Sequence, residues 1–283
     1  MPLIFVPTPL GNLRDVTFRA VEVLRSADVV VAEDTRVARK LLTALAIGGR
    51  EIWSYREQNA AAITPRIIER ARTAVVAVTC DAGMPGISDP GSSLIAEARS
   101  SGVPVEVLPG PSAALGVALL SGFALNRFVF EGFPPRAAGA RRARFGEALR
   151  SGATTIWYES PRRLRASLAD LAEVAPDAQV FVVREFTKMH EQQLLGTPEG
   201  VIAQLPDPVR GEVAFAIAPY QAPRVSTPTS DETSAAIDAL LAGGRRVGEV
   251  AKLLAARGFG DRRQLYAHAS ARKARRETSI NQP

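Results

Sequence analysis

Two kinds of apolar pattern alternate over the first 120 or so residues. Short unbroken apolar runs, LIFVPT, DVVVAED, RTAVVAVTCDA and VPVEVLPG, read as strands. Between them stand stretches of helical spacing. TFRAVEVLRSA gathers Val16, Ala20, Val23 and Leu24 on one side, TRVARKLLTALA repeats the pattern, and SSLIAEARSSG and PSAALGVALLSG close on Gly102 and Gly122. Strands apolar at every position are buried on both faces, so the alternation predicts a mostly parallel sheet with helices on each side.

A second series begins near Phe128. RFVFEGF, TTIWYES, AQVFVVREF and GEVAFAIAP read as strands, and RRARFGEALRSG, SPRRLRASLADLAEV and TPEGVIAQL as helices. The expected organisation is two consecutive α/β domains, residues 1–122 and 123–222. A Pro/Ser/Thr-rich run, YQAPRVSTPTSDETS, reads as a linker. After it, DETSAAIDALLAGG, RVGEVAKLLAARGF and DRRQLYAHASARKA predict three short helices, a helix-turn-helix-like unit over residues 231–271. Residues 272–283 are basic and polar and are expected to be a disordered tail.

Composition narrows the class. The 283-residue chain carries a net charge of +6 and a single cysteine, Cys80, which excludes an internal disulfide and a cysteine-built zinc site. No cluster of metal ligands is visible, and none is expected. The N-terminus MPLIFVPTPLGNLRD lacks a basic stretch ahead of an apolar core, and no apolar run nears the ~18 residues of a membrane span. The expectation is a soluble, cytoplasmic protein without a membrane partner. The clustered positive charge favours a polyanionic partner over compositional bias.

Chemistry concentrates in loops. TPLGNLRD, DAGMPGISDPG and PGPSA each follow a predicted strand of the first domain. In an open parallel sheet ligands bind beyond the carboxyl ends of the strands, so three specialised loops there point to one site. Gly11, Gly83 and their neighbours let the backbone approach a ligand closely. Asp81 and Asp89 accept bonds from hydroxyls or an amine. There is no G-x-x-x-x-G-K-[ST] loop and no G-x-G-x-x-G at the first helix, and the loops carry Arg14 but almost no other basic residue. A nucleoside with an amino-acid tail fits this loop chemistry better than a polyphosphate.

Seven motifs in order, TPLGNLRD, AEDTRVARKLL, DAGMPGISDPG, PGPSA, FEGFPPR, YESPRR and REFTKMHE, closely resemble the ribosomal RNA small-subunit methyltransferase I family, cytidine 2′-O-methyltransferases of the tetrapyrrole methylase superfamily. The resemblance spans roughly residues 3 to 270. Met84, Arg162 and Phe186 stand where Thr, His and Leu are expected; the change at Arg162 bears on RNA contact. The resemblance implies S-adenosylmethionine in a cleft between the two α/β domains. Leu10, Asp89, Ser92, Ser112 and Ala113 would contact it from the loops, and Tyr158 and Val213 from the second domain. It also implies a homodimer acting on a cytidine in the decoding region of 16S ribosomal RNA within the small subunit.

A ribose hydroxyl is a poor nucleophile until a base takes its proton. The candidates are Glu159, beside Tyr158, and Glu185, Lys188 and His190 in REFTKMHE. Lys188 serves as base if desolvated, or else binds phosphate; Glu185 is either a base or the partner of Arg184. Cys80 reads as a small buried apolar residue. Arg136, Arg141, Arg142, Arg162 and Arg163 are the expected RNA contacts, joined by arginines of the helical unit. Two other readings stay open: a relative that methylates a tetrapyrrole or a protein, and a non-enzymatic nucleic-acid-binding regulator.

Overall fold

The computed structural model of this chain describes residues 2–89, 91–220 and 229–280, with side chains as far as residue 274. The chain forms two compact units, Met1–Tyr220 and Gln221–Pro283.

The larger unit holds two five-stranded sheets. The first comprises β1 (Leu3–Phe5), β2 (Val29–Ala32), β3 (Glu51–Ser54), β4 (Val76–Thr79) and β5 (Val105–Val107). Their order is β3-β2-β4-β1-β5 and every pairing is parallel. The crossovers are helical: α1 (Phe18–Ser26), α2 (Thr35–Ala44), α3 (Ala60–Thr73) and α4 (Gly91–Ser100). Leu3, Phe5, Val29 and Val31 face one layer of the core; Ile4, Val30 and Ala77 face the other. That two-sided burial explains the unbroken apolar strands. β3 and α3 are elements the apolar pattern does not announce. β3 is an edge strand, exposed or half-buried along its length, and α3 carries an internal Pro65.

The second sheet comprises β6 (Phe128–Gly132), β7 (Thr154–Glu159), β8 (Val180–Arg184), β9 (Gln192–Gly196) and β10 (Val213–Ile217), in the order β6-β7-β10-β8-β9. Only β6 and β7 are parallel; β10 enters between β7 and β8 and pairs antiparallel with both. β8 and β9 are joined by the REFTKMHE segment, too short for a crossover, so they also pair antiparallel. α6 (Ala138–Arg150), α7 (Pro161–Val174) and α8 (Pro198–Gln204) cover one face. Beneath them Trp157 stacks on Phe215 at 6.1 Å between ring centroids, with Phe145 edge-on to both.

The other face of this sheet is covered by α5 (Ala113–Leu120), a helix that chain order assigns to the first half. Ala114, Val117 and Ala118 pack with Ile156, Phe181, Val183 and Ala216 of the second sheet. Gly116 lets the ring of Phe186 lie on the helix backbone, since a Cβ there would stand 2.3 Å from Phe186 Cε1.

The smaller unit holds α9 (Ser230–Ala242), α10 (Val247–Ala256) and α11 (Arg262–Ile280) around Ile237, Val250, Leu254, Leu265 and Ala269. Residues 221–228 of the expected linker lie outside the described residues. Its last part is helical: Thr229 caps α9 in a capping box with Glu232, a T-x-x-E signature. Of the tail expected to be disordered, residues 281–283 lie outside the described residues, and residues 272–280 are helical as the end of α11. Its Ala, Arg, Lys and Glu residues are good helix formers, and propensity outweighs net charge there.

Candidate functional site

The three Gly/Pro-rich loops meet at the carboxyl edge of the first sheet. Thr8 and Gly83 exchange backbone hydrogen bonds of 2.9 Å, tying the loop after β1 to the loop after β4. Gly83 has φ +81°, and a Cβ there would lie 3.1 Å from Leu10 and 3.7 Å from the Pro111 carbonyl of the third loop. Gly110 packs on Pro7 as closely. Asp89 shapes its own loop, its Oδ1 accepting from the amides of Gly86 at 2.6 Å and Gly91 at 3.0 Å.

Beyond these loops a cleft of about 400 Å³ opens between the two sheets. Leu10, Asp81, Gly83, Asp89 and Ala113 line it from the first half, and Tyr158, Glu159 and Val213 from the second. Sequence reasoning missed Glu33, Phe133, Phe186 and Glu212, which also line it. Glu33 was findable, since it directly follows β2 at the same carboxyl edge. Ser92, Ser112 and Gly11 stand outside this lining. Ser92 lines an outer groove beside the cleft, and Ser112 is the residue before α5, outside the lining. Gly11 packs on the stem of Lys188.

Strand alternation sorts Tyr158 from Glu159. Tyr158 faces α5, where its hydroxyl accepts from the Ala114 amide at 3.2 Å and its ring meets Phe130 and Phe133 edge-on. Burial pushes its phenol above the usual value. Glu159 turns to the α7 side and is held there. It accepts from Ser167 at 2.5 Å and from the Ser160 amide at 2.7 Å, and pairs with Arg163 at 3.2 Å. Both contacts to Oε2 and one of those open to Oε1 are thus taken on the α7 side.

The REFTKMHE candidates form a different device. Lys188 Nζ sits 3.0 Å from Glu185 and 2.9 Å from Glu212. Burial pulls its pKa down, but the carboxylates of Glu212 and Glu185 outweigh burial and hold it above the ordinary lysine value. The two carboxylates thus favour its protonated form. Burial raises Glu185, yet Lys188 and the Glu212 amide outweigh this and keep its pKa low. His190 is exposed and does not line the cleft. The turn is held in a conformation side chains resist, with Glu185 at φ +54° and Thr187 at +66°.

Two carboxylates in the cleft carry the opposite perturbation. Burial, then the charges of Asp81 and Asp89, raises Glu33; burial raises Asp81, whose Oδ1 accepts from the Asp34 amide at 3.1 Å. Cys80, buried beneath the loop, is pushed up to about 12 by burial and then by Asp89. It donates toward the Ala82 and Gly83 carbonyls and is not a nucleophile.

Several of the expected RNA contacts have partners within the protein. Arg141 is 5% exposed; it pairs with Asp170 and donates to the Pro135 and Arg136 carbonyls at 3.3 and 3.0 Å. Arg163 binds Glu159 and the Pro134 and Pro135 carbonyls, which fixes the FPPR loop carrying Phe133. Arg142 divides between Asp170 and Glu173. Arg136 and Arg162 are exposed. Among the described residues no group of His, Cys, Asp and Glu is arranged to hold a metal ion, and no helix is long and apolar enough to cross a membrane.

Fold and cleft together define a methylase of the tetrapyrrole type. Residues 2–202 match the family Tetrapyrrole (Corrin/Porphyrin) Methylases. The solved structure of a diphthine synthase shares the fold with a TM-score of 0.59 at 16% identity, covering 77% of this chain and 90% of that one. Ribosomal RNA small subunit methyltransferase I of Thermotoga maritima is 41% identical over 199 residues, 69% of this chain and 87% of the relative. That of Mycobacterium tuberculosis is 38% identical over 282 residues, 98% of this chain and 96% of the relative. The chain belongs to the ribosomal RNA small subunit methyltransferase I family.

The family's methyl donor is S-adenosylmethionine, and the cleft fits it. Five acidic residues, Glu33, Asp81, Asp89, Glu159 and Glu212, line the cleft without a lysine or arginine among them. Such a lining suits a sulfonium, an ammonium and ribose hydroxyls, and opposes a polyphosphate. Phe133, Phe186, Leu10 and Val213 supply apolar surface for a purine.

Proposed function

We propose that this protein is an S-adenosylmethionine-dependent methyltransferase of ribosomal RNA that methylates the 2′-oxygen of a cytidine in the decoding region of 16S RNA, working in the cytoplasm on the small subunit. The observation that carries the reading is the acidic, cation-free cleft in a chain matched over 98% of its length by a relative named for small-subunit ribosomal RNA. When bound, the cofactor supplies an electrophilic methyl group.

The protein's own contribution is placement, exclusion of water and proton removal. Phe133, Phe186 and Tyr158 wall the cleft from the second half. Of the acids at its mouth, Asp81 is the best placed to take the hydroxyl proton. It borders both the cleft and the outer groove, its Oδ2 accepts none of the described hydrogen bonds, and burial raises its pKa. Arg136, Arg162 and the arginines of the helical unit supply salt-sensitive backbone contacts. Homodimer formation is part of this reading through the family resemblance.

The test is transfer of labelled methyl from S-adenosylmethionine to small subunits of a strain lacking the enzyme, with the labelled nucleotide mapped. Label on a cytidine 2′-oxygen is the expected result. Cofactor binding without transfer to RNA would favour a tetrapyrrole or protein substrate.

A further inference from the structure

A second concavity of about 1390 Å³ adjoins the cleft and shares Glu33, Asp81, Ser88 and Asp89 with it. It lies at the carboxyl edge of the first sheet, between the segments that follow β2, β3 and β4. The groove offers a nucleotide at the cleft a direction in which to extend its base along the first half. The inference drawn here rests on the function proposed above.

Most polar groups of this groove are already engaged. Asp34 caps α2 through the Arg36 amide at 2.8 Å and also holds the Arg36 guanidinium. Asp89 binds two loop amides and Asp81 the Asp34 amide. Two groups at the junction stand apart. The half-buried Glu33 carboxylate accepts no hydrogen bond among the described residues. Arg56 donates Nε to the Glu33 carbonyl at 2.9 Å, which brings its guanidinium beside that residue and leaves both terminal nitrogens without a partner among the described residues. A free acceptor next to a free pair of donors matches a base edge with an amine beside a ring-nitrogen acceptor, which adenine and cytosine share, and only cytosine adds a second acceptor for the second donor. Cytosine offers its N4 amine to an acceptor, with N3 and O2 beside it to accept from a guanidinium. Uracil presents O4 and N3–H at those places and meets like polarity at both.

We infer that Glu33 and Arg56 form the base-reading subsite, Glu33 accepting from cytosine N4 and Arg56 donating to N3 and O2. Burial and the neighbouring Asp81 and Asp89 charges, which make the Glu33 carboxylate costly when empty, favour filling it with a donor. The groove as a whole is acidic, which excludes the RNA backbone from it and leaves the base as the part that enters.

The experiment compares small subunits carrying C or U at the methylated position, using wild type, Glu33→Gln and Arg56→Met. Wild type is expected to prefer C by roughly 10- to 100-fold in kcat/KM. Glu33→Gln, whose carboxamide can donate to O4, should lower transfer to C and bring the C-to-U ratio toward one. Arg56→Met, altering an exposed side chain, should lower transfer to C and also narrow the ratio. A merely structural role would slow both substrates equally; an unchanged ratio in both variants, or a wild type indifferent to C and U, overturns the inference. Cofactor-competent wild type that labels neither RNA overturns the proposed function, and the subsite falls with it.

Discussion

Gly11 lies against the stem of Lys188: a Cβ added at Gly11 would stand 2.2 Å from Lys188 Cγ and 2.8 Å from Cε. The loop after β1 thus carries the β8–β9 turn on its back, and the Asn12 amide adds a 3.2 Å bond to Thr187 Oγ1. Gly11→Ala must push the lysine stem aside. We expect a stability loss of about 1–3 kcal/mol from overpacking, read by urea unfolding, and weaker cofactor binding because neighbouring Leu10 lines the cleft. Wild-type stability would mean the stem moves freely.

Lys188 gives a pH signature. Its pKa is raised in the fold, so its contribution is fully present below the ordinary lysine value and is lost as pH rises through the folded one. Glu185 is lowered, so its share is present above the ordinary glutamate value and is lost as pH falls through the depressed one. The stability gap between wild type and Lys188→Met, on the order of 1 kcal/mol for partly exposed pairs, should be flat from about pH 5 to pH 10. It should shrink at both extremes. A gap that persists unchanged at both extremes would show that it arises from packing of the lysine stem and not from the ion pairs.

Arg141 and Arg162 separate folding from RNA binding. Arg141→Ala leaves buried Asp170 with Arg142 as its remaining ion pair, and we expect a loss of about 3 kcal/mol. Arg162→Ala should leave stability within ~0.5 kcal/mol and reduce the salt slope of RNA binding by about one. Thermal unfolding and salt titrations of RNA affinity decide it; a stable Arg141→Ala protein with a flattened slope would return Arg141 to the RNA surface.

For Asp81 the readout is the rate profile. A base works deprotonated, so transfer should climb with pH through a value above that of an ordinary aspartate. Asp81→Asn should cut kcat by about 10²–10⁴-fold and erase that acid limb. An intact limb in the variant would assign the proton to another group.

The first sheet was readable because both of its faces are buried, which writes each central strand as an apolar run. The three loops were readable for a related reason: Gly83 and Gly110 sit where no side chain fits, and glycine spacing records that directly. Position within the site was harder. Glu159 is next to Tyr158 in sequence, but strand alternation sends it to α7, and a motif does not state which face it serves. The ion pairing of Lys188 and Glu185 was not legible because their partner, Glu212, lies 24 residues from Lys188 and becomes a neighbour only through β10. Arg141 looked like surface because charged residues usually are; its Asp170 partner is likewise distant in sequence.

The placement of α5 settles what a cut chain would do. The helix precedes the Phe123–Arg127 connection yet is packed on the sheet that follows it, with Ala114 bonded to Tyr158 and Gly116 seated on Phe186. A protease that nicked this connection would leave two fragments still clasped, the leading one gripping the trailing one by its last helix. The trailing fragment made alone would present a bare apolar sheet face and should aggregate, then recover when the leading fragment is supplied in trans.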